Sequence, residues 1–191
     1  MSTPRLPKRQ RGFSRVAAIL DAASEIFLEK GFGAATMTEI AARSKTAIGS
    51  LYRFFPSKDA LAEALVEGYV ARLLEALDQI AAKADALTPR QLAEALVAYR
   101  LELRARRRAA FALLESSSGV AEKREKLRDA ILPRLTSILG KALPHLSPAR
   151  IEDMVPVVMH LLKAVSEAGS PSVAADISDL LTVYFSKEGS R

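Results

Sequence analysis

The residues with the clearest chemical capacity are cations, hydroxyls and helix-capping pairs. Lys8, Arg9 and Arg11 crowd an N-terminal stretch that also holds two prolines, a pattern suited to gripping anions such as phosphate. Thr36 and Glu39 stand three apart in Thr36-Met-Thr-Glu39. At that spacing the threonine hydroxyl accepts from the glutamate amide and the carboxylate accepts from the threonine amide, so a helix is expected to begin there. Covalent and metal chemistry have no comparable support. The 191 residues include no Cys and two His, which removes thiol nucleophiles, disulfides and thiolate zinc sites. The sequence has no Gly-rich phosphate loop, no GxSxG elbow and no HExxH pair, and its carboxylates fall on helix faces as solvated charge. Neither a metal nor a cofactor is expected.

The formal net charge is +6. The first 60 residues hold 10 Lys and Arg against 5 Asp and Glu, whereas residues 61–191 hold 18 against 17. Basicity is therefore local, and an anionic partner is expected at the N-terminal third. At 49% hydrophobic the chain can bury a core. The basic start is not followed by a secretory apolar stretch, and no run of eighteen apolar residues occurs. A soluble cytoplasmic protein without a membrane partner is expected.

The series from Val16 through Ile19, Leu20 and Ala23 to Phe27 follows one helical face, which is expected to stop at Gly31. A short helix from the Thr36 cap to about Ser44 follows, then a tight turn, then Ile48, Leu51 and Phe55 at helical spacing. Pro56-Ser57-Lys58-Asp59 opens another helix. Two short helices about a tight turn, behind a longer helix and a basic arm, are the ingredients of a helix-turn-helix. Further helices are expected at about 89–105, 108–117, 120–142, from Ser147-Pro148 to Gly169, and after Pro171. The fold class read from this is all-α, with a three-helix N-terminal domain followed by an antiparallel helical bundle and about nine helices. The expected division is a flexible basic arm at 1–12, the helix-turn-helix at 13–60 and a bundle at 61–191.

The last two helices are apolar around much of their circumference. A dimer interface through Ile151, Val155, Leu162, Ile177, Leu181 and Tyr184 accounts for this, and a monomeric bundle core is the alternative.

The stretch from Arg15 to Leu61 resembles the DNA-binding domain of the TetR family of bacterial transcriptional regulators. The likeness is carried by Ile19, Ala22-Ala23, Phe27, Gly31-Phe32, Thr36-Met-Thr-Glu-Ile40-Ala41, Gly49, Leu51-Tyr52, Phe55 and Lys58-Asp59-x-Leu61. It implies an all-helical homodimer that binds a palindromic double-stranded DNA operator, as a repressor by family default, and is released by a small apolar or amphipathic effector held in the C-terminal domain. It also places the recognition helix at about Ala47 to Phe54. Ala47, Ile48, Ser50, Tyr52 and Arg53 then lie near bases or phosphates, with Leu51 in the core. Arg53 suits guanine, Ser50 several bases, and Ala47 or Ile48 a thymine methyl. Tyr52 and Lys58 match phosphate-contacting positions, and Thr36 and Thr38 sit at a helix start where the DNA backbone is commonly met. Lys8, Arg9, Arg11 and Arg15 supply further phosphate or minor-groove contacts.

Ser44-Lys45-Thr46-Ala47 departs from the family's usual Ala-Gly-Val-Ser. Lys45 takes the place of a turn glycine and brings a charge toward DNA, and Thr46 is expected to cap in place of the missing hydroxyl at Ala47. In the bundle, Tyr99, Phe111, Leu114, Met154 and Val158 are candidate effector-pocket residues, with simple core packing as their alternative. The altered turn keeps open a second function, a helical interaction module or degenerate regulator that dimerises without reading DNA. A small helical enzyme is the third.

Overall fold

A computed structural model describes residues 10–115 and 120–188, without the side chains of residues 10, 11, 105, 107, 111, 114, 115, 120 and 188. Among the described residues the structure is all-α, with nine α-helices and one 3-10 turn and no strand. The helices are α1 (Gln10–Ala34), α2 (Met37–Arg43), α3 (Ile48–Phe54), α4 (Lys58–Ala81), α5 (Pro89–Glu102), α6 (Arg104–Glu115), α7 (Val120–Ala142), α8 (Pro148–Ala168) and α9 (Pro171–Glu188).

Local chemistry explains most of the boundaries. Gly31, at φ 80°, interrupts α1 in a conformation that a side chain disfavours. Thr36 and Glu39 form the expected reciprocal cap of α2, and Thr88 with Gln91 forms another at α5. The Ser57 hydroxyl accepts from the Ala60 amide at the start of α4 (3.1 Å), and Ser147 does the same for Arg150 at α8 (3.3 Å). Gly169, at φ 63°, ends α8 in the left-handed region. The start of α1 at Gln10 lies inside the stretch expected as an arm.

The chain forms two compact units, Met1–Val70 with Ala105–Lys123, and Ala71–Arg104 with Arg124–Arg191. In the first, Ile19, Ile26 and Phe27 of α1 meet Ile40 of α2, Leu51 of α3, Phe55 and Leu61. Leu113 of α6 enters the same core. The expected division had put everything beyond residue 60 in one domain; the structure groups α6 with the helix-turn-helix instead. In the second unit, α5 packs on α8 and α9, and Leu92, Leu96, Leu135, Met154, Val158, Leu181 and Phe185 are buried.

Candidate nucleic-acid interface

The first unit builds its site on α2, the turn after it, and α3. Apolar anchoring comes first, because Ile40, Ala41 and Leu51 are buried and fix the inner faces of both short helices. Ion pairs tie α2 to α1. The Arg43 guanidinium donates to both carboxylate oxygens of Glu29 (2.5 and 2.9 Å) and lies 3.6 Å from Glu25. Lys30 donates to the Glu39 carboxylate. The Arg43 hydrogen bonds hold the Glu29 carboxyl below the ordinary glutamate range. Lys30, and then Thr36, do the same for Glu39.

The turn closes through backbone hydrogen bonds from Lys45 N to Ala42 O (3.1 Å) and Thr46 N to Ala41 O (2.9 Å). Lys45 takes φ 50°, the one positive φ among the described non-glycine residues, so the left-handed conformation expected for a turn glycine is kept at a cost on the order of 1 kcal/mol. Its side chain is exposed.

On the outer face of α3, Tyr52 is 48% exposed and Ile48, Arg53 and Gly49 are exposed as well. The Arg53 guanidinium lies 5.7 Å from the Phe54 ring centroid. Ala47, Thr36, Thr38 and Arg15 are also exposed. The arrangement presents an aromatic hydroxyl, a guanidinium, an aliphatic side chain and, at Lys45, an ammonium unpaired among the described residues, on a helix and turn backed by buried side chains. Such a surface suits phosphates and base edges.

Three expectations need correction. Lys58 is not a free phosphate ligand: its Nζ donates to the carbonyls of Phe32 (2.6 Å), Gly33 (3.0 Å) and Ala35 (2.9 Å), and lies 4.7 Å from the Phe32 ring centroid. Thr46 does not cap α3. It is buried, its hydroxyl donates to Ser44 O (3.2 Å), and the N-cap is Ala47, without a side-chain bond. The Ser50 hydroxyl is buried and, among the described residues, without a partner, so it does not face a base.

Lys8 and Arg9, and the side chains of Arg11, Phe111 and Leu114, lie outside the described residues. In the second unit, Tyr99, Met154 and Val158 are buried, as core residues are. The dimer assignment also needs correction. Ile151, Val155, Leu162, Ile177 and Leu181 are buried within the chain itself and are not available to a second copy, and Tyr184 is half-buried. The large apolar side chains that α8 and α9 leave exposed are Val157 (43%), Leu180 (58%) and Val183 (52%).

Sequence reasoning also missed the ties between α1 and α2, because Arg43 and Glu29 lie 14 residues apart and no periodicity links them. It missed Arg104 too. That guanidinium sits over Gly169, where a Cβ would overlap it, and its Nε is buried without a partner among the described residues. Arg106, two residues further on, pairs with Asp21 (3.4 Å). Among the described residues no group of three or more His, Cys, Asp or Glu is placed to hold a metal. No described helix is long and apolar enough to cross a membrane.

A capped α2, a turn closed through a left-handed residue, and an exposed α3 anchored by Leu51 define a helix-turn-helix protein. Residues 19–65 match the family model described as bacterial regulatory proteins, tetR family. The chain is 39% identical over 75 residues to the uncharacterized HTH-type transcriptional regulator YvdT of Bacillus subtilis, covering 39% of this chain and 36% of that one. It is 41% identical over 61 residues to the HTH-type transcriptional repressor Rv3405c of Mycobacterium tuberculosis, covering 32% of each. The aligned region thus spans about a third of the length of these curated relatives. Across nearly the whole chain, a TetR-like transcriptional regulator from Rhodococcus sp. RHA1 superposes with a TM-score of 0.60 at 26% identity, covering 95% of this chain and 96% of that one. FadR of Bacillus subtilis, solved with stearoyl-CoA, shares the fold with a TM-score of 0.59 at 17% identity over 88% of this chain and 96% of its own. By sequence the likeness to the TetR family of bacterial transcriptional regulators lies in residues 19–65, and by fold it extends over nearly the whole chain.

Proposed function

We propose that this regulator acts in the cytoplasm as a homodimer that binds a palindromic DNA operator, represses transcription, and releases DNA when a small apolar or amphipathic effector binds the second unit. The observation that carries the reading is α3, held from within by Leu51 and offering Ile48, Tyr52 and Arg53 to the outside. Tyr52 serves a phosphate with its hydroxyl, Arg53 reads guanine or grips phosphate, and Ile48 or Ala47 meets a thymine methyl. Thr36, Thr38 and Arg15, with Lys8, Arg9 and Arg11, add contacts to the backbone. Val157, Leu180 and Val183, exposed on α8 and α9, supply the apolar surface for a second copy, whose twofold axis sets two heads on two half-sites.

Repression follows the relative from M. tuberculosis, which is named a repressor. The stearoyl-CoA in FadR supports an apolar or amphipathic effector, with Tyr99, Phe111, Leu114, Met154 and Val158 as candidate contacts. An effector that binds one arrangement of the heads better than the other weakens DNA binding by linkage. The family is one of regulators rather than enzymes, and no catalytic activity is proposed.

Gel-shift titration with DNA flanking its own gene tests the reading. Tight, salt-dependent binding that discriminates against a scrambled duplex is expected. Equal, weak binding to both duplexes would instead favour a helical interaction module that dimerises without reading DNA.

A further inference from the structure

Resting on the DNA-binding reading above, we propose that the phosphate-binding lysine of the head is Lys45, in the turn between α2 and α3, and that Lys58 is a positioning residue. An ammonium has three N–H donors, and all three of Lys58 are spent on the carbonyls of Phe32, Gly33 and Ala35. Those carbonyls are left over where Gly31 breaks the end of α1, so Lys58 joins that end to the start of α4. Engaging a phosphate would cost it those bonds, together with its approach to the Phe32 ring at 4.7 Å.

Lys45 has the opposite surroundings. Its side chain is exposed, and among the described residues its ammonium has neither a hydrogen bond nor an ion pair. The other cations about the two short helices are engaged, Lys30 by Glu39 and Arg43 by Glu29 and Glu25. Arg53, over Phe54, is the base-reading candidate. Backbone preference does not account for a lysine at φ 50°, since glycine would sit there without strain. What lysine adds is a mobile cation, three residues before the exposed Ile48 of α3. The burial of Thr46 beside it fixes the turn from within, so the turn stays rigid while the Lys45 side chain is free to reach a phosphate.

The salt dependence of DNA binding separates the two lysines, because each cation withdrawn from a phosphate lowers the slope of log K against log salt by about one unit. The full-length protein first selects a duplex from a random 30-base-pair pool, and affinity for it is measured across a KCl series. Lys45→Gln is expected to lower the slope by about one unit per bound head and to leave the melting temperature unchanged or higher. Lys45→Arg is expected to keep the slope. Lys58→Gln is expected to keep the slope while melting at a lower temperature. Lys58→Arg, which retains charge but not the compact three-donor geometry, is expected to keep the slope and still melt early; it remains decisive should Lys58→Gln fail to fold. A slope unchanged in Lys45→Gln, or lowered in Lys58→Gln and restored by Lys58→Arg at wild-type melting temperature, would overturn the assignment while leaving the DNA-binding reading intact. Failure to select any duplex would overturn that reading, and this one with it.

Discussion

Both units bury an apolar core, but they place their polar groups differently. In the first, the Thr36–Glu39 cap, the Arg43 and Lys30 ion pairs and the Lys58 hydrogen bonds hold α1, α2 and the start of α4 in one arrangement, and α3 is anchored by the buried Leu51. In the second, Thr88 with Gln91 and Ser147 cap α5 and α8, and ties between helices include Arg134 to Asp78 (2.8 Å) and Arg100 to the carbonyl of Leu162 (3.0 Å). A surface that must meet phosphates at set positions needs its backbone fixed to a fraction of an ångström, which directional bonds supply. A helical body that packs by apolar faces has looser demands, since ridges and grooves tolerate a range of angles.

Core truncation makes the strongest test of the likeness. Phe27 and Phe185 are both buried, at 2% and 0% exposure, one in each unit. Phe27→Ala and Phe185→Ala are each expected to cost about 3–5 kcal/mol in denaturant unfolding. A cost under about 1 kcal/mol for either would show that its unit is not close-packed around that ring.

Next in size is the difference between the two faces of α9. Leu181 is fully buried and Leu180 is 58% exposed, although they are neighbours in sequence. Introducing charge as Leu180→Glu with Val183→Glu is expected to weaken self-association about a hundredfold or more, read by sedimentation equilibrium, with little change in monomer stability. Leu181→Ala is expected to destabilise the monomer by about 2–5 kcal/mol. The reverse pattern would restore the first assignment of these faces.

That reversal of faces shows how far the sequence could be read. Helical periodicity established that α8 and α9 carry much apolar surface, but Ile177, Leu180, Leu181 and Val183 are all apolar, so residue type could not rank which of them the chain covers itself. The helices of the head were legible because their signals are local. Thr36 and Glu39 are three residues apart, and the N-caps, the turn and the buried Leu51 follow within fifteen. Lys58 was misread because its acceptors lie 23 to 26 residues away, and no short-range pattern announces a lysine that closes over the end of another helix. Arg104 and Gly169 are farther apart still in the chain. Family resemblance located α3 correctly. It did not reveal that the Ser50 hydroxyl turns inward, because that depends on the rotation of one seven-residue helix on its core.

Gly169 is a mid-sized test, and it sharpens the role of close approach in the second unit. Gly169→Ala forces a side chain into left-handed backbone, which alone costs about 1–2 kcal/mol, and it also drives a methyl group into the Arg104 guanidinium. Combining it with Arg104→Ala removes the collision but not the backbone strain. The double mutant is therefore expected to lose less stability in thermal melts than the two single changes added together. Strict additivity would mean that the guanidinium moves aside freely.

The smallest effect concerns pH and separates the units through their carboxylates. Glu29 and Glu39 have folded-state pKa values lowered by Arg43 and by Lys30 with Thr36, so the folded head binds their protons less readily than the unfolded chain does. A lowered folded pKa gives stability that is present above the unfolded value, near 4.5, and is lost as pH falls through the folded value. The melting temperature of the head is thus expected to fall as pH drops from about 5.5 toward 3, with a shallower fall in Glu29→Gln and Glu39→Gln because these have already given up the charge. Both groups are open to solvent, so the effect should shrink in high salt. A pH profile in the two variants that parallels wild type across that window would mean that these ion pairs do not hold α2 to α1, and that the apolar anchors Ile40 and Leu51 suffice to set α2 and α3.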